Sequence, residues 1–147
     1  MSTTFSSNDF LGKGWSFPPT FNTETYAVSM AEKETDIQQS LHILLTTTMG
    51  ERVMQPKYGC NMDTLLFEPL NTSVKTIMID KIKTAILFFE PRIDAQKIDL
   101  NMQDELTGQV LVEIEYIVRA TNSRFNFVFP YYITEGSELS ILTTNSI

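Results

Sequence analysis

Glu113 and Glu115 lie two residues apart in an alternating stretch, which puts both carboxylates on one face of a strand at a spacing suited to a glycosidase pair. That chemistry needs one carboxyl kept protonated by an apolar cleft, whereas these two alternate outward from a core-facing stripe, toward water. A solvated strand face is the expectation. His42 is the single histidine and falls off the apolar stripe of its helix, with no partner at ligand spacing, so it is expected to be solvent-exposed. Cys60 is the single cysteine, which excludes an internal disulfide and, with one histidine beside it, a thiolate and imidazole zinc site. Gly12-Lys13-Gly14 lacks the strand and helix context of a phosphate cradle, and no nucleophile elbow, P-loop, zinc-helix or dinucleotide motif occurs. No catalytic residue, cofactor or metal is expected.

Glu90-Pro91-Arg92 stands apart. Opposite charges flank a proline where a helix gives way to a strand, so the ring constrains where both side chains point. Arg92 offers a planar fork for a carboxylate or for backbone carbonyls, and Glu90 can accept from an arginine. An internal ion pair at a helix stop and an interaction site are both compatible with these residue types.

The elements that position these groups follow from periodicity. Residues 1–29 carry Phe5, Phe10, Trp15, Phe17 and Phe21 among Gly12, Gly14, Pro18 and Pro19, with neither helical nor alternating spacing. They are read as an extended arm whose aromatic anchors, Trp15 and Phe17 among them, must be buried on this domain or on a neighbour. Tyr26-Ala27-Val28 can form a short strand at its end. Ile37, Leu41, Leu44 and Leu45 predict a helix from about Lys33 to Thr48, capped by Thr35 or Asp36 and stopped near Gly50. Residues 62–67 allow a short helical segment before Pro69. A longer helix is predicted from Thr72 to Phe89, with Asn71 as N-cap, Pro91 as stop and Val74, Ile77, Met78, Ile82, Ala85, Ile86 and Phe89 on its stripe.

Three alternating runs follow, carrying Ile98, Leu100 and Met102; then Val110, Val112, Ile114, Tyr116 and Val118; then Phe125, Phe127, Phe129, Tyr131 and Ile133. Residues 104–108 and 121–123 separate them as hairpin turns. The expected fold is α+β: one domain over residues 30–134, with two main amphipathic helices and a short one packed on an antiparallel sheet of about three strands. Residues 135–147 are weakly patterned and read as a mobile tail.

Composition narrows the function classes. Across 147 residues, 42% are hydrophobic and 20% charged, which excludes a disordered chain. A net charge of −7 supplies no basic field for a phosphate backbone, so nucleic acid is not an expected partner. The longest apolar run, Ala85 to Phe89, is far short of the roughly 20 residues of a membrane helix. The opening MSTTFSSNDF lacks the charged and apolar regions of a secretory signal, so synthesis and folding in the cytoplasm are expected.

Several stretches, in order, resemble the baseplate wedge family of contractile injection machines, typified by the gene 25 product of T-even phages and its type VI secretion counterpart. They are Phe10-Leu11-Gly12-Lys13-Gly14-Trp15-Ser16-Phe17-Pro18-Pro19, Gln39-Ser40-Leu41-His42-Ile43-Leu44-Leu45, Gly50 to Cys60, Leu66-Phe67-Glu68-Pro69 and Glu90-Pro91-Arg92-Ile93. The resemblance implies a non-catalytic assembly protein joining the inner baseplate ring to the first sheath ring. It implies that Glu90, Pro91 and Arg92 grip the helical core bundle of the wedge proteins. It further implies that the terminal strand region, Phe125, Phe127, Phe129 and Tyr131, is offered to a sheath subunit for strand addition. Six copies in a sixfold assembly, with central spike or tube-hub proteins nearby, are implied as well. The particle is a phage tail or a tail-like contractile device, and the arm looks closer to phage and extracellular particles than to type VI systems. The same family has carried a lysozyme label, and anti-adaptor proteins sharing the fold are small regulatory binders. On these grounds, loss of Arg92 or Glu90 is expected to abolish particle assembly without unfolding the domain.

Overall fold

The computed structural model describes residues 11–60, 62, 69, 71–104 and 108–132. Their elements run β1 (Lys13–Trp15), β2 (Phe21–Asn22), β3 (Ala27–Val28), β4 (Met30–Glu32), α1 (Lys33–Thr46), α2 (Thr72–Phe89), β5 (Ile93–Asp104), β6 (Gln109–Val118) and β7 (Ser123–Tyr132). Strands β5, β6 and β7 form one antiparallel sheet in that order, and the expected α+β architecture is what the chain adopts. The short helical segment at residues 63–67, the tail at 135–147, Ile133, and Phe5 and Phe10 of the arm lie outside the described residues.

Helix α2 has the predicted bounds. The Asn71 side-chain oxygen accepts the Val74 N–H at 2.8 Å, satisfying a donor that the helix itself leaves unpaired, and Pro91 stops the helix one residue after the Glu90 C-cap. Val74, Met78, Ile82, Ala85 and Ile86 are buried, whereas Ile77, expected on the same stripe, is 46% exposed at its margin. Helix α1 starts at Lys33 with Glu32 as an N-cap that makes no side-chain cap bond, so neither Thr35 nor Asp36 caps it. β4 runs directly into the helix, and Asp36 is committed elsewhere. The helix ends at Thr46, short of the expected Thr48, because Thr47 turns away and returns both its N–H and its hydroxyl to the Ile43 carbonyl. The following loop closes back on that end through Cys60, whose N–H donates to the Thr47 carbonyl at 3.0 Å. Gly59, at φ +120°, makes the approach possible, since a Cβ there would stand 2.3 Å from the Thr47 oxygen.

One face of the sheet and both helices share the core: Ile37, Leu41, Leu44 and Leu45 of α1, the α2 stripe, and Val110, Val112, Ile114, Tyr116 and Val118 of β6. Strand β6 alternates without interruption. Strand β5 does not, and it begins at Ile93, five residues before the first expected core position. A register shift between Ala95 and Lys97 changes which parity faces inward, hiding the early part of the strand from a period-two pattern. Met102, beside a second shift, is 40% exposed and does not join the core face.

The arm is more structured than an extended segment. Lys13, Gly14 and Trp15 pair with Glu32, Ala31 and Met30, and Phe21 and Asn22 pair with Val28 and Ala27, so the chain folds back as two short antiparallel ladders leading into α1. Strands of two and three residues are too short to announce themselves by alternation. Leu11 is buried in the core, but Trp15 and Phe21 are 65% and 68% exposed, and Phe17 is only partly covered.

Cys60 is buried, and desolvation pushes its thiol up to about 11. At pH 8 only about one thiol in a thousand is then ionised in the folded protein. Ellman's reagent is expected to react slowly with the native chain and rapidly once denaturant is added. Because the raised value favours the protonated native state, the Cys60 contribution to stability holds below about pH 9 and is lost as pH rises toward 11.

Candidate assembly interface

The junction between α2 and β5 is built around one guanidinium. Arg92 Nε donates to Glu90 Oε1 at 2.6 Å and Nη2 to Glu90 Oε2 at 2.8 Å, a bidentate fork that the intervening Pro91 holds in place. Nη1 donates to Asp36 Oδ2 of α1 at 2.6 Å and to the Leu11 carbonyl at 3.0 Å. Four of the five guanidinium N–H groups therefore bond within the chain. The triplet is an internal ion pair, as one reading of it had it, and its guanidinium also bonds two distant segments of the same chain.

Burial decides how much this matters. Glu90 is 3% exposed, and the Arg92 and Asp36 side chains retain 29% and 16% of their exposure. Hydrogen bonding to Glu90 first, and to Asp36 after the opposing effect of burial, holds Arg92 more firmly protonated than a free arginine. The pairing is thus an extensively desolvated one, in which losing either partner strands a charge. Loss of Arg92 or Glu90 is therefore expected to lower stability as well as to affect assembly.

The two arm glycines belong to the same cluster. Gly12, at φ +85°, places its backbone 3.6 Å, measured from an ideal Cβ position, from Arg92 Nη1. A Cβ on Gly14 would stand 2.5 Å from Asp36 Oδ1. Gly12 is favoured by its positive φ, and Gly14 by the close approach of Asp36. A little further on, the Phe17 N–H donates to Gln39 Oε1 at 2.9 Å. His42, expected in solvent, is half-buried between Phe17 and Phe129, with ring centroids 5.7 and 5.3 Å away. The arm from Leu11 to Phe17 therefore packs on its own α1. Nothing in the sequence pattern joined Asp36, Gln39 and His42 to the arm; the usable signal was the Gly-x-Gly pair in a segment otherwise rich in aromatics.

At the far side of the sheet, Phe125, Phe127 and Tyr131 are half-buried and Phe129 is buried, all on the core face. Phe125 stacks on Tyr116 at 5.9 Å, and Phe127 on Phe129 at 6.5 Å. β7 pairs with β6 through ten consecutive positions without a register shift, and its other edge has no neighbouring strand among the described residues. Glu113 and Glu115 stand on the opposite face, where Glu113 accepts from Asn101 Nδ2 at 3.1 Å and faces Asp99, and Glu115 is exposed beside Lys97. Among the described residues no group of three or more His, Cys, Asp or Glu could hold a metal ion, and no helix is long and apolar enough to cross a membrane.

This architecture recurs in contractile-tail proteins. A chain in the cryo-EM structure of the anti-feeding prophage baseplate, sixfold symmetrised, aligns at a TM-score of 0.63 and 24% identity, over 92% of this chain and 96% of that one. A crystal structure from Geobacter sulfurreducens, described as a tail lysozyme, aligns at 0.68 and 37% identity, over 76% of this chain and all of the other. The family described as baseplate wedge protein gp25 matches residues 31–123, and the chain belongs to that family. The baseplate wedge protein gp25 of Enterobacteria phage T4 is 31% identical over 83 residues, 56% of this chain and 61% of the T4 protein, so the chain spans less than two thirds of that curated relative. The matched family region contains Asp36, Glu90, Pro91 and Arg92; the arm glycines and most of β7 lie outside it.

Replacing Arg92 by alanine leaves the Glu90 carboxylate buried and unpaired. The change is expected to lower stability by roughly 3 kcal/mol in denaturant unfolding of the full chain. Gly14→Ala should disturb the arm more than the core, increasing amide exchange at residues 13–15 while leaving β6 protected. Wild-type stability in Arg92→Ala would show that the fork contributes nothing to the fold.

Proposed function

We propose that this protein is a structural, non-catalytic subunit of the baseplate of a phage tail or tail-like contractile particle. It joins the inner wedge core to the first sheath ring and starts sheath assembly by accepting a sheath strand on its own sheet. The observation that supports this reading most directly is a regular β7 edge without a neighbouring strand among the described residues, on a chain of the gp25 family. Such an edge is an aggregation liability in a free protein and an asset where one intended strand completes it.

In this reading Glu90, Pro91 and Arg92 serve the wedge contact as a prebuilt unit. Pro91 is exposed at the turn, and Arg92 keeps one Nη2 hydrogen for a partner while its other donors hold the surface in shape. Trp15 and Phe17, only partly covered by their own chain, extend the same contact from the arm. Residues 30–134 act as the folded unit, in six copies about a sixfold axis with spike or tube-hub proteins inside the ring. Assembly takes place in the bacterial cytoplasm, before any release of the particle. Peptidoglycan cleavage is the second reading, motivated by the description of the Geobacter sulfurreducens protein. The outward position of Glu113 and Glu115, on a sheet face without an apolar enclosure, weighs against it. A small regulatory binder of the same fold is the third.

The test is affinity recovery from the native host with the full chain tagged, wild type beside Arg92→Lys. Lysine retains the charge but cannot form the fork. Wild type is expected to bring down sheath, tube and wedge proteins, and the variant to lose the wedge proteins preferentially. Elution of the wild type alone would favour the regulatory binder. Cleavage of peptidoglycan by the purified chain, abolished by Glu113→Gln or Glu115→Gln, would replace the assembly reading with an enzymatic one.

A further inference from the structure

The loop that leaves α1 and the outer side of α2 face each other across a groove of about 990 Å³. Its apolar lining, among the described residues, comprises Met49 and Cys60 from the loop and Ile77, Ala85, Phe88 and Phe89 from α2. The helix positions extend the core stripe outward, so Ala85 is buried while Ile77 and Phe88 are 46% and 71% exposed. Contiguous apolar surface of this kind, rimmed by polar residues, is the mark of a docking site.

The charge around the groove is opposite to that of the chain. Residues 49–60 and α2 carry five cations, Arg52, Lys57, Lys75, Lys81 and Lys83, against two carboxylates, Glu51 and Asp80, a local balance of +3 in a chain of −7. Lys57 and Lys81 stand at the groove itself, with Asp80 as the carboxylate beside them. Both lysines are exposed and neither is in an ion pair among the described residues, whereas Lys13 and Lys97 are paired with Glu32 and Asp99. The rim therefore favours an acidic occupant.

The walls decide the form of that occupant. Helix α2 commits its backbone groups internally, and the loop closes on itself through Gly50 to Pro56, Tyr58 to Gln55 and Cys60 to Thr47. Neither wall offers a strand edge, so an entering backbone must satisfy its own hydrogen bonds, which a helix does. Ile77 and Phe88 lie about 16 Å apart along the α2 axis, the length of three helical turns.

We propose that this groove receives an amphipathic helix of another protein, with apolar side chains against Ile77, Ala85 and Phe88 and carboxylates along the edge that faces Lys57 and Lys81. The site uses neither the Arg92 fork nor the sheet edge and does not rest on the joining role proposed above.

The test uses the full chain and three synthetic peptides of about 18 residues: a helix with leucines at i, i+3, i+4 and i+7 and glutamates on its flanks, its twin with lysine for glutamate, and the acidic peptide broken by a central proline. Fluorescence anisotropy of the labelled peptide reads binding, and methyl NMR shifts of Ile77 and Met49 read its place. The acidic helix is expected to bind at least about tenfold more tightly than either control, its advantage over the lysine twin shrinking as salt is raised. Lys57→Glu combined with Lys81→Glu changes two exposed positions outside the core and is expected to transfer the preference to the lysine twin. Equal binding of the twins, an acidic preference retained in the double variant, undiminished binding of the proline peptide, shifts away from the groove, or no binding of either helix would each overturn the proposal. A dimer of the chain that excludes the acidic helix and is dissociated by Phe88→Glu would assign the groove to a second copy and overturn the occupant.

Discussion

A single guanidinium bonds four segments of this protein to one another at the edge of the shared core. Arg92 ties the end of α2, the first turn of α1 and the arm to the start of β5, using Glu90, Asp36 and the Leu11 carbonyl. The cluster contains one positive and two negative side chains, so its attraction is not balanced one to one and depends on the planar fork meeting both carboxylates at once. Such a site is poor at adding stability in comparison with an apolar core. What it provides is a defined relation between segments, because wrong arrangements would leave the same charges buried and unpaired.

That arrangement bears on how a wedge subunit can be both a scaffold and an interface. A partner that approaches the α2–β5 turn meets a surface already fixed by internal bonds and has little side-chain entropy left to remove. The sheet presents a different situation at β7, which has no second neighbouring strand among the described residues and carries half-covered aromatic rings. The junction commits four of the five guanidinium donors internally, whereas β7 has a neighbouring strand on one side only among the described residues. The two surfaces therefore differ in chemistry, one built on charged side chains and the other on backbone groups and aromatic rings.

The sequence made much of this fold legible and little of its clustering. Asn71 and Pro91 bounded α2 through local rules of capping and ring closure, and the strict alternation of β6 and β7 identified the sheet without ambiguity. β5 was shortened because a register shift after Ala95 switches inward parity, and period-two reasoning has no memory across such a shift. The start of α1 was misread because Asp36, a good capping residue by type, is recruited by an arginine 56 positions away. His42 was assigned to solvent since neither Phe17 nor Phe129, which flank it, is near it in sequence. In each case the missing information was tertiary. The Glu90–Arg92 pair itself lay within reach of local reasoning; its extension to Leu11 did not.

The hydrogen bond from Arg92 to Leu11 also has a kinetic side. It spans 81 residues, and its donor sits where α2 ends and β5 begins to pair. Contacts of such long range form after local ones, since the closure entropy must be met by structure already in place. Docking of the arm is thus a late event that depends on the rest of the domain. Trp15, which follows Leu11 by four residues, takes up its place beside Met30 only when the arm is docked on the folded body. The arm surface around Trp15 is therefore a property of the folded domain and not of the isolated segment.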